Sequence, residues 1–98
     1  MAKSHAHARQ FRQVLKLFAL LGHPIRLVIF QRLARQPTTA GMLARELPVS
    51  RVAVVQHMKL LERVGLLLGS RDGKRRIYHA RRAGLEPLAR WLAVHGPT

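Results

Sequence analysis

Residues 50–65 place hydrogen-bonding side chains at the spacing of a helix. The side chains that share one side of such a helix are Arg51, Val52, Val55, Gln56 and Lys59. Arginine can bond guanine O6 and N7, glutamine can bond adenine N6 and N7, and a valine methyl group can touch the thymine methyl group. We therefore interpret these five residues as candidates for reading DNA bases. The alternative interpretation is an ordinary solvated helix face.

The helix that positions these side chains has clear signals for its two ends and for its buried side. Ser50 is a good N-cap, and Gly65 suits the left-handed position that follows a helix. About 14 residues lie between them, or about 21 Å of helix. An apolar stripe at i, i+4, i+7 and i+10 consists of Val54, Met58, Leu61 and Val64. This pattern predicts a helix with one buried side and one side free for contacts.

The composition is that of a folded, strongly basic domain. The chain has 98 residues with 18 Lys and Arg against 4 Asp and Glu, a net charge of +14, and 48% hydrophobic residues. That apolar fraction excludes a disordered basic tail, and the charge attracts polyanions. Nucleic acid is the leading partner, and an anionic membrane surface is the alternative. We expect a cytoplasmic protein, associated with the bacterial nucleoid when bound to DNA, because no spanning helix or secretory signal is recognisable.

The residues that enzymes and metal sites require are scarce. The chain has four carboxylates and no cysteine, and it contains no glycine-rich phosphate loop and no nucleophile spaced suggestively from a base. These features predict that the protein is not an enzyme and holds no cofactor, no metal and no disulfide. His5 and His7 form a His-x-His pair that we interpret as part of the chain end rather than as a metal site.

The remaining residues predict one mainly α-helical domain over residues 1–98. Residues 1–9 are expected to be a flexible end, and helices are expected over 10–21 and 24–36. A helix-turn-helix is predicted over 39–64, a β-hairpin over 66–80 with Asp-Gly in its turn, and a last helix over 84–95. The first helix is apolar nearly all round, so it needs two partners, and we expect a second subunit to be one of them.

The predicted hairpin is dense in cations that face a single acid. We interpret several of these, together with flanking residues of the predicted helix 51–64, as contacts to DNA phosphates: Ser50, Arg63, Arg71, Lys74, Arg75 and Arg76. Arg81 and Arg82 add to the same basic patch. The alternative role for these charges is solubility alone.

The arrangement and several motifs resemble the ArsR/SmtB-type repressors. The resemblance is carried by Ala19-Leu-Leu-Gly-His-Pro-Ile-Arg26, by Ile29 and Leu33, by Leu43-Ala-Arg-Glu-Leu47, by Ser50 through Leu66 and by Asp72-Gly-Lys-Arg-Arg-Ile-Tyr78. It implies a winged helix-turn-helix in which the β-hairpin is the wing. It also implies a homodimer, joined by its first and last helices, that binds a pseudo-palindromic operator and usually represses. The residues expected at that interface are Phe11, Leu15, Phe18, Leu88, Trp91 and Leu92.

One departure from the family concerns metal sensing. Many members hold metal through Cys-x-Cys in the helix before the turn, and Thr39 and Gly41 occupy those places. A second family site uses Asp, His and Glu ligands on the terminal helices, where this chain offers Glu86 and His95 at an unsuitable separation. The chain therefore resembles the cysteine-free members, and its inducing signal is unassigned.

These observations lead to one main hypothesis and two alternatives. The main hypothesis is a sequence-specific, homodimeric transcriptional repressor that binds double-stranded DNA. The first alternative is a nonspecific architectural DNA-binding protein that uses the same basic surface. The second is a winged helix that docks an acidic protein partner.

Overall fold

The computed structural model describes residues 2–98, with side chains from residue 6 onward. Its elements follow in the order α1 (Ala2–Leu21), α2 (Pro24–Arg35), α3 (Ala40–Glu46), α4 (Arg51–Arg63), β1 (Leu67–Asp72), β2 (Arg75–Ala80), a 3₁₀ helix (Arg82–Leu85) and α5 (Glu86–His95). The two strands pair antiparallel and form the wing, which we define as residues 67–80. The predicted winged helix-turn-helix, mainly α-helical with a small hairpin, is confirmed.

The first helix begins earlier than the sequence predicted. It starts at Ala2 rather than near Gln10, so residues 2–9 are helical where a flexible end was expected, and Met1 lies outside the described residues. The segment contains neither Gly nor Pro before Gly22, and Ala, Lys, Gln and Arg are good helix formers. Nothing local therefore ends the helix before Gly22.

The two helices that follow are capped by side chains. His23 is the N-cap of α2, where its Nδ1 accepts from the Ile25 N–H at 3.2 Å, and Pro24 occupies the first turn. Thr39 caps α3 by accepting from the Met42 N–H at 3.1 Å. Both caps satisfy a backbone donor that the first helical turn leaves free.

The core lies where α2, α3 and α4 meet the base of the wing. Its fully buried side chains are Ile29, Leu33, Leu43, Val54, Met58, Leu61 and Leu66. Within α2 the helical spacing of Ile25, Val28, Ile29 and Leu33 predicts that all four face inward, but Val28 is 40% exposed and Phe30 is buried. The side of α2 that packs into the core is therefore rotated toward Phe30 relative to the predicted side.

The wing is closed by a different turn from the one predicted. Asp72 pairs with Arg75, so the two turn residues are Gly73 and Lys74 rather than Asp72 and Gly73. Gly73 has a φ of 63° and is the one turn residue in the left-handed region. A positive φ at the first turn position alone is typical of a type II′ turn, which favours glycine there.

Candidate nucleic-acid interface

The exposed side of α4 gathers the five candidate base-reading residues. Ser50 caps the helix by accepting from the Ala53 N–H at 3.1 Å, while Val54, Met58 and Leu61 are buried on the opposite side. The side chains that border one shallow surface depression are Arg51, Val52, Val55, Gln56 and Lys59. The helical spacing thus brings all five together on one open surface that can make polar and apolar contacts.

A groove of about 380 Å³ continues from this surface to the wing. Arg51 and Val55 form its α4 wall, Thr39 and Gly41 form its α3 wall, and the opposite wall consists of Lys74, Arg75, Arg76 and Tyr78. A basic groove beside an open helix face is suited to a polyanionic backbone, because Lys and Arg bind phosphate through charge and hydrogen bonds.

The wing cations differ in what they already contact. Arg71 and Lys74 are exposed, and Arg75 is exposed too, with only a 3.6 Å ion pair to Asp72. Arg76 instead donates to Glu62 of α4 at 3.2 Å and lies 5.4 Å from the ring centre of Tyr78. The hydrogen bond with Glu62 raises the pKa of Arg76, so its positive charge is firmly held.

Three further cations have positions that the sequence pattern did not indicate. Arg63 lies at the far end of α4 and borders a separate cleft with Lys16 and Pro87, away from the wing. Arg81 donates to the carbonyl of Gly65, and Arg82 donates to the carbonyl of Ala34. The structure therefore does not bring Arg63 together with the other phosphate candidates, and it gives Arg81 and Arg82 partners within the chain.

An exposed apolar surface lies on α1 and α5, well separated from the groove. The half-buried to exposed side chains that form it are Phe11, Leu15, Phe18, Trp91, Leu92 and Val94. Phe18 and Trp91 meet edge to face at a centroid distance of 5.3 Å. Leu88, expected on the same surface, packs against the core of its own chain. The first helix is thus apolar on two sides: Val14 and Leu17 face inward, and Phe11 and Phe18 face outward.

The proteins that this chain resembles in sequence and structure are transcriptional regulators. Residues 21–69, which include α2, α3 and α4, match the family model described as a helix-turn-helix domain. The chain is 40% identical over 78 residues to the HTH-type transcriptional regulator Rv2034 of Mycobacterium tuberculosis, covering 80% of this chain and 73% of that protein. It also superposes on an ArsR-like transcriptional regulator from Rhodococcus sp. RHA1 with 34% identity and a TM-score of 0.79, covering 88% of this chain and 81% of that one.

The chain belongs to the ArsR-like family of helix-turn-helix transcriptional regulators. NolR from Sinorhizobium fredii has the same fold, with a TM-score of 0.71 at 21% identity over 100% of this chain and 96% of that one. Family members regulate transcription and are not enzymes, and the helix-turn-helix implies DNA binding. The predicted family and the predicted absence of enzymatic function are therefore confirmed.

Two histidine rings meet where the inner side of α4 approaches the start of α2, and they are tilted by 48° relative to each other. The rings of His23 and His57 lie 4.6 Å apart, and Arg26 donates toward Nδ1 of His57 at 3.4 Å. Burial lowers the pKa of His57, and the nearby His23 and Arg26 charges lower it further. An arginine can only donate, so His57 must be neutral at Nδ1. His57 thus serves as a packing group that joins α4 to the start of α2.

Two residues at the positions of the ArsR-family thiolates carry no metal-ligand chemistry. Thr39 uses its hydroxyl as a helix cap, and Gly41 has no side chain. Glu86 and His95 stand at opposite ends of α5. Within the described part of the chain, no group of three or more His, Asp or Glu side chains is suitably placed to hold a metal ion.

No single helix in residues 2–98 is long and apolar enough to cross a membrane. The pair α1 and α2, bent by 95°, meets the length and composition criteria only when its two helices are taken together.

Sequence reasoning missed two residues of this interface, Glu62 and Gly69. Glu62 is the single acid on α4, and Gly69 lies on β1 across from Tyr78. The available signal was the isolated acid beside a run of cations, but only the folded hairpin brings it next to Arg76.

Proposed function

We propose that this ArsR-like regulator is a cytoplasmic, homodimeric repressor that recognises an inverted-repeat DNA site. The observation that carries the proposal is the open surface of α4, where Arg51, Gln56 and Lys59 lie beside the basic groove of the wing. This arrangement separates base contacts on α4 from phosphate contacts on the wing, as in sequence-specific readers of the major groove.

The phosphate contacts in this proposal come from the wing and from the start of α4. Lys74 and Arg75 at the wing tip and Arg71 beside them are exposed. The Ser50 hydroxyl accepts from the backbone but keeps its own proton available for a phosphate oxygen. Arg63 was included among the phosphate contacts on sequence grounds, and its position beside Lys16 instead favours a role near α1 and α5.

The second copy of the chain is expected on the exposed apolar surface of α1 and α5. Phe11 is 65% exposed and Val94 is 75% exposed, which is unusual for large apolar side chains grouped on one surface. Burying this surface in a symmetric dimer gives the first helix its second apolar partner. In such a dimer we expect the two copies of α4 to enter successive major grooves, roughly 34 Å apart.

The experiment that tests this proposal is selection of bound duplexes from a randomised DNA library at about 150 mM salt, where nonspecific attraction is partly screened. Recovery of an inverted repeat with half-sites about one helical turn apart is the expected result. Binding without any enriched sequence would indicate an architectural DNA-binding protein. Absence of binding at this salt concentration would indicate that the basic surface docks an acidic protein.

The base-reading residues are then tested on the selected site. Gln56→Ala or Arg51→Ala should weaken binding to that site by about 1–3 kcal/mol and leave binding to random DNA nearly unchanged. Gln31→Ala on the exposed surface of α2 is a matched control that should bind both duplexes as the parent does. Equal losses on both duplexes would exclude a base-reading role for Gln56 and Arg51.

A further inference from the structure

The wing is fixed at its base but extends freely beyond it. At the base, Tyr78 exchanges backbone hydrogen bonds with Thr38 at 2.9 and 3.3 Å, and the Arg81 N–H donates to the Leu66 carbonyl at 2.8 Å. Leu67 and Tyr78 are buried in the core. Residues 70–77 lie past these anchors, and they include the tip cations Lys74 and Arg75.

One polar contact joins this outer part of the wing to the rest of the chain. Among the described residues, the hydrogen bonds of segment 70–77 stay within the hairpin except for the one that Arg76 donates to Glu62. The two charged groups form an ion pair with 50% and 27% of their side chains exposed. This pair connects the outer wing directly to the last turns of α4.

The Arg76 guanidinium lies on a surface that fits it closely. It sits over the Tyr78 ring on one side, with 5.4 Å between Cζ and the ring centre. On the neighbouring strand, a Cβ added to Gly69 would lie 2.6 Å from Nε and from one terminal nitrogen of that guanidinium. The absence of a side chain at Gly69 therefore leaves room for Arg76 to reach Glu62.

We propose that Arg76 is a positioning residue rather than a phosphate contact. Glu62, Gly69 and Tyr78 hold its guanidinium against α4, and this contact fixes the angle of the outer wing relative to α4. The proposal rests on the DNA-binding function proposed above and revises the role that the sequence alone gave to Arg76. The phosphate contacts of the wing are then Arg71, Lys74 and Arg75, and Arg76 orients the part of the wing that carries them.

For Glu62→Gln, the proposal predicts weaker DNA binding, whereas the change in net charge alone predicts stronger binding. Glu62→Gln removes a negative charge near the DNA surface, so electrostatics alone would strengthen DNA binding. If Glu62 holds the wing, Glu62→Gln instead makes the wing tip mobile in the free protein. DNA binding must then order the tip, and this entropic cost weakens the affinity for DNA. Gly69→Ala displaces the guanidinium without changing any charge, and in a strand alanine is otherwise no worse than glycine.

The test compares DNA affinities on a duplex of mixed sequence, because wing contacts to phosphate do not need a specific site. The variants are Glu62→Gln, Gly69→Ala, Arg76→Ala and the double variant of Glu62→Gln with Arg76→Ala, measured by fluorescence anisotropy at fixed salt. Glu86→Gln is the matched control, because its carboxylate contacts only Arg90 of the same helix, at 4.0 Å. It removes the same charge without touching the wing.

We expect each single wing variant to weaken binding by about twofold to tenfold, the range for freeing one side chain. The double variant should bind no worse than Arg76→Ala, since both changes break the same contact. Binding by Glu62→Gln that equals or exceeds that of Glu86→Gln would overturn the proposal. Additive losses in the double variant would overturn it as well.

A second measurement on the free protein separates this proposal from the DNA-binding function itself. Amide hydrogen exchange of residues 70–77 should be faster in Glu62→Gln and Gly69→Ala than in the parent, while exchange within α4 stays unchanged. Unchanged exchange in the wing would overturn the proposal. If the parent protein fails to bind DNA, the proposed function fails, and hydrogen exchange still decides whether Arg76 fixes the wing.

Discussion

Replacing the two cations at the wing tip is expected to reduce the salt dependence of DNA binding by a calculable amount. Lys74 and Arg75 are exposed, and the Asp72 contact to Arg75 is 3.6 Å long between side chains that are 69% and 68% exposed. Such an exposed pair contributes little, at most about 1 kcal/mol, so it does not prevent Arg75 from reaching a phosphate. Both cations are therefore counted as full phosphate contacts.

The magnitude follows from counterion release. Each neutralised phosphate contributes about 0.9 to the slope of log K against log salt concentration. In the proposed homodimer, two cations in each protomer make four contacts, so Lys74→Ala with Arg75→Ala should lower the magnitude of the slope by about 3.6. Between about 50 and 200 mM salt, the parent should lose roughly a hundredfold more affinity than the double variant.

The assay is fluorescence anisotropy with a labelled duplex at several salt concentrations. The matched control is Arg9→Ala with Arg12→Ala, which removes the same charge from exposed positions on α1. The control is expected to keep the parent slope, since screening confines its effect to about 10 Å. Equal slopes for the parent and the wing variant would show that the wing tip does not touch the DNA backbone.

Three further predictions concern assembly, pH and packing. If the chain forms the proposed dimer, Leu15→Glu should convert it to a folded monomer in sedimentation velocity, while Leu68→Glu, also at an exposed leucine, should leave it dimeric. A dimeric Leu15→Glu variant would place the interface elsewhere. The lowered pKa of His57, due to burial and to the His23 and Arg26 charges, means that the folded state binds fewer protons than the unfolded state. The stability that neutral His57 contributes is therefore fully present above about pH 6.5 and is lost as pH falls through its lowered folded-state pKa. The Tm should fall on acidification more steeply in the parent than in His57→Gln, and parallel curves would assign the loss to other groups. A Cβ on Gly84 would lie 2.2 Å from the Gly65 carbonyl oxygen, so Gly84→Ala should cost about 1–3 kcal/mol in denaturant unfolding. Gly41→Ala, whose nearest contact would be 3.9 Å away, should not destabilise the fold.

The parts of the fold that were predictable from sequence are those with local signals. Ser50 and Gly65 mark the ends of α4, and the structure places the cap at Ser50 and gives Gly65 a φ of 80°. Pro24 and Pro37 likewise bound α2 within one or two residues. These residues act through their own backbone preferences, so their effect does not depend on the rest of the chain.

The features that the sequence did not reveal depend on contacts between distant residues. The apolar residues of α1 form a nearly continuous band, and packing against α2 and α5 separates the inward Val14 and Leu17 from the outward Phe11 and Phe18. The last helix was expected to begin at Gly84, but this glycine lies in the 3₁₀ helix because its backbone packs against Gly65. Helical periodicity predicts neither the two sides of α1 nor the start of α5. An apolar stripe has the same spacing whether it packs in the core of its own chain or against a second chain.

In the candidate interface, too, some features were predictable from local sequence and others depended on contacts between distant residues. The spacing of Arg51, Gln56 and Lys59 alone predicted a shared helix side, because helical geometry is regular enough to place them. The wing cations appeared equivalent in sequence, yet Arg76 faces α4 while Lys74 and Arg75 lie at the tip. Both Arg75 and Arg76 line the groove between the wing and α4, and finding that Arg76 is the one bonded to α4 required the position of Gly69 and of Glu62.

Each of the four carboxylates of this basic chain lies near an arginine, and two of these ion pairs join different elements of the fold. Glu86 and Asp72 lie within 4.0 and 3.6 Å of arginines in their own helix or hairpin. The other two join separate elements: Glu46 of α3 holds Arg32 of α2 at 2.8 Å, and Glu62 of α4 holds Arg76 of the wing at 3.2 Å. These two ion pairs flank the helix-turn-helix on both sides. In a domain of net charge +14, mutual repulsion favours cations that spread apart. Placing scarce acids at these two junctions counters that repulsion where the relative positions of α3, α4 and the wing decide how the surface meets DNA.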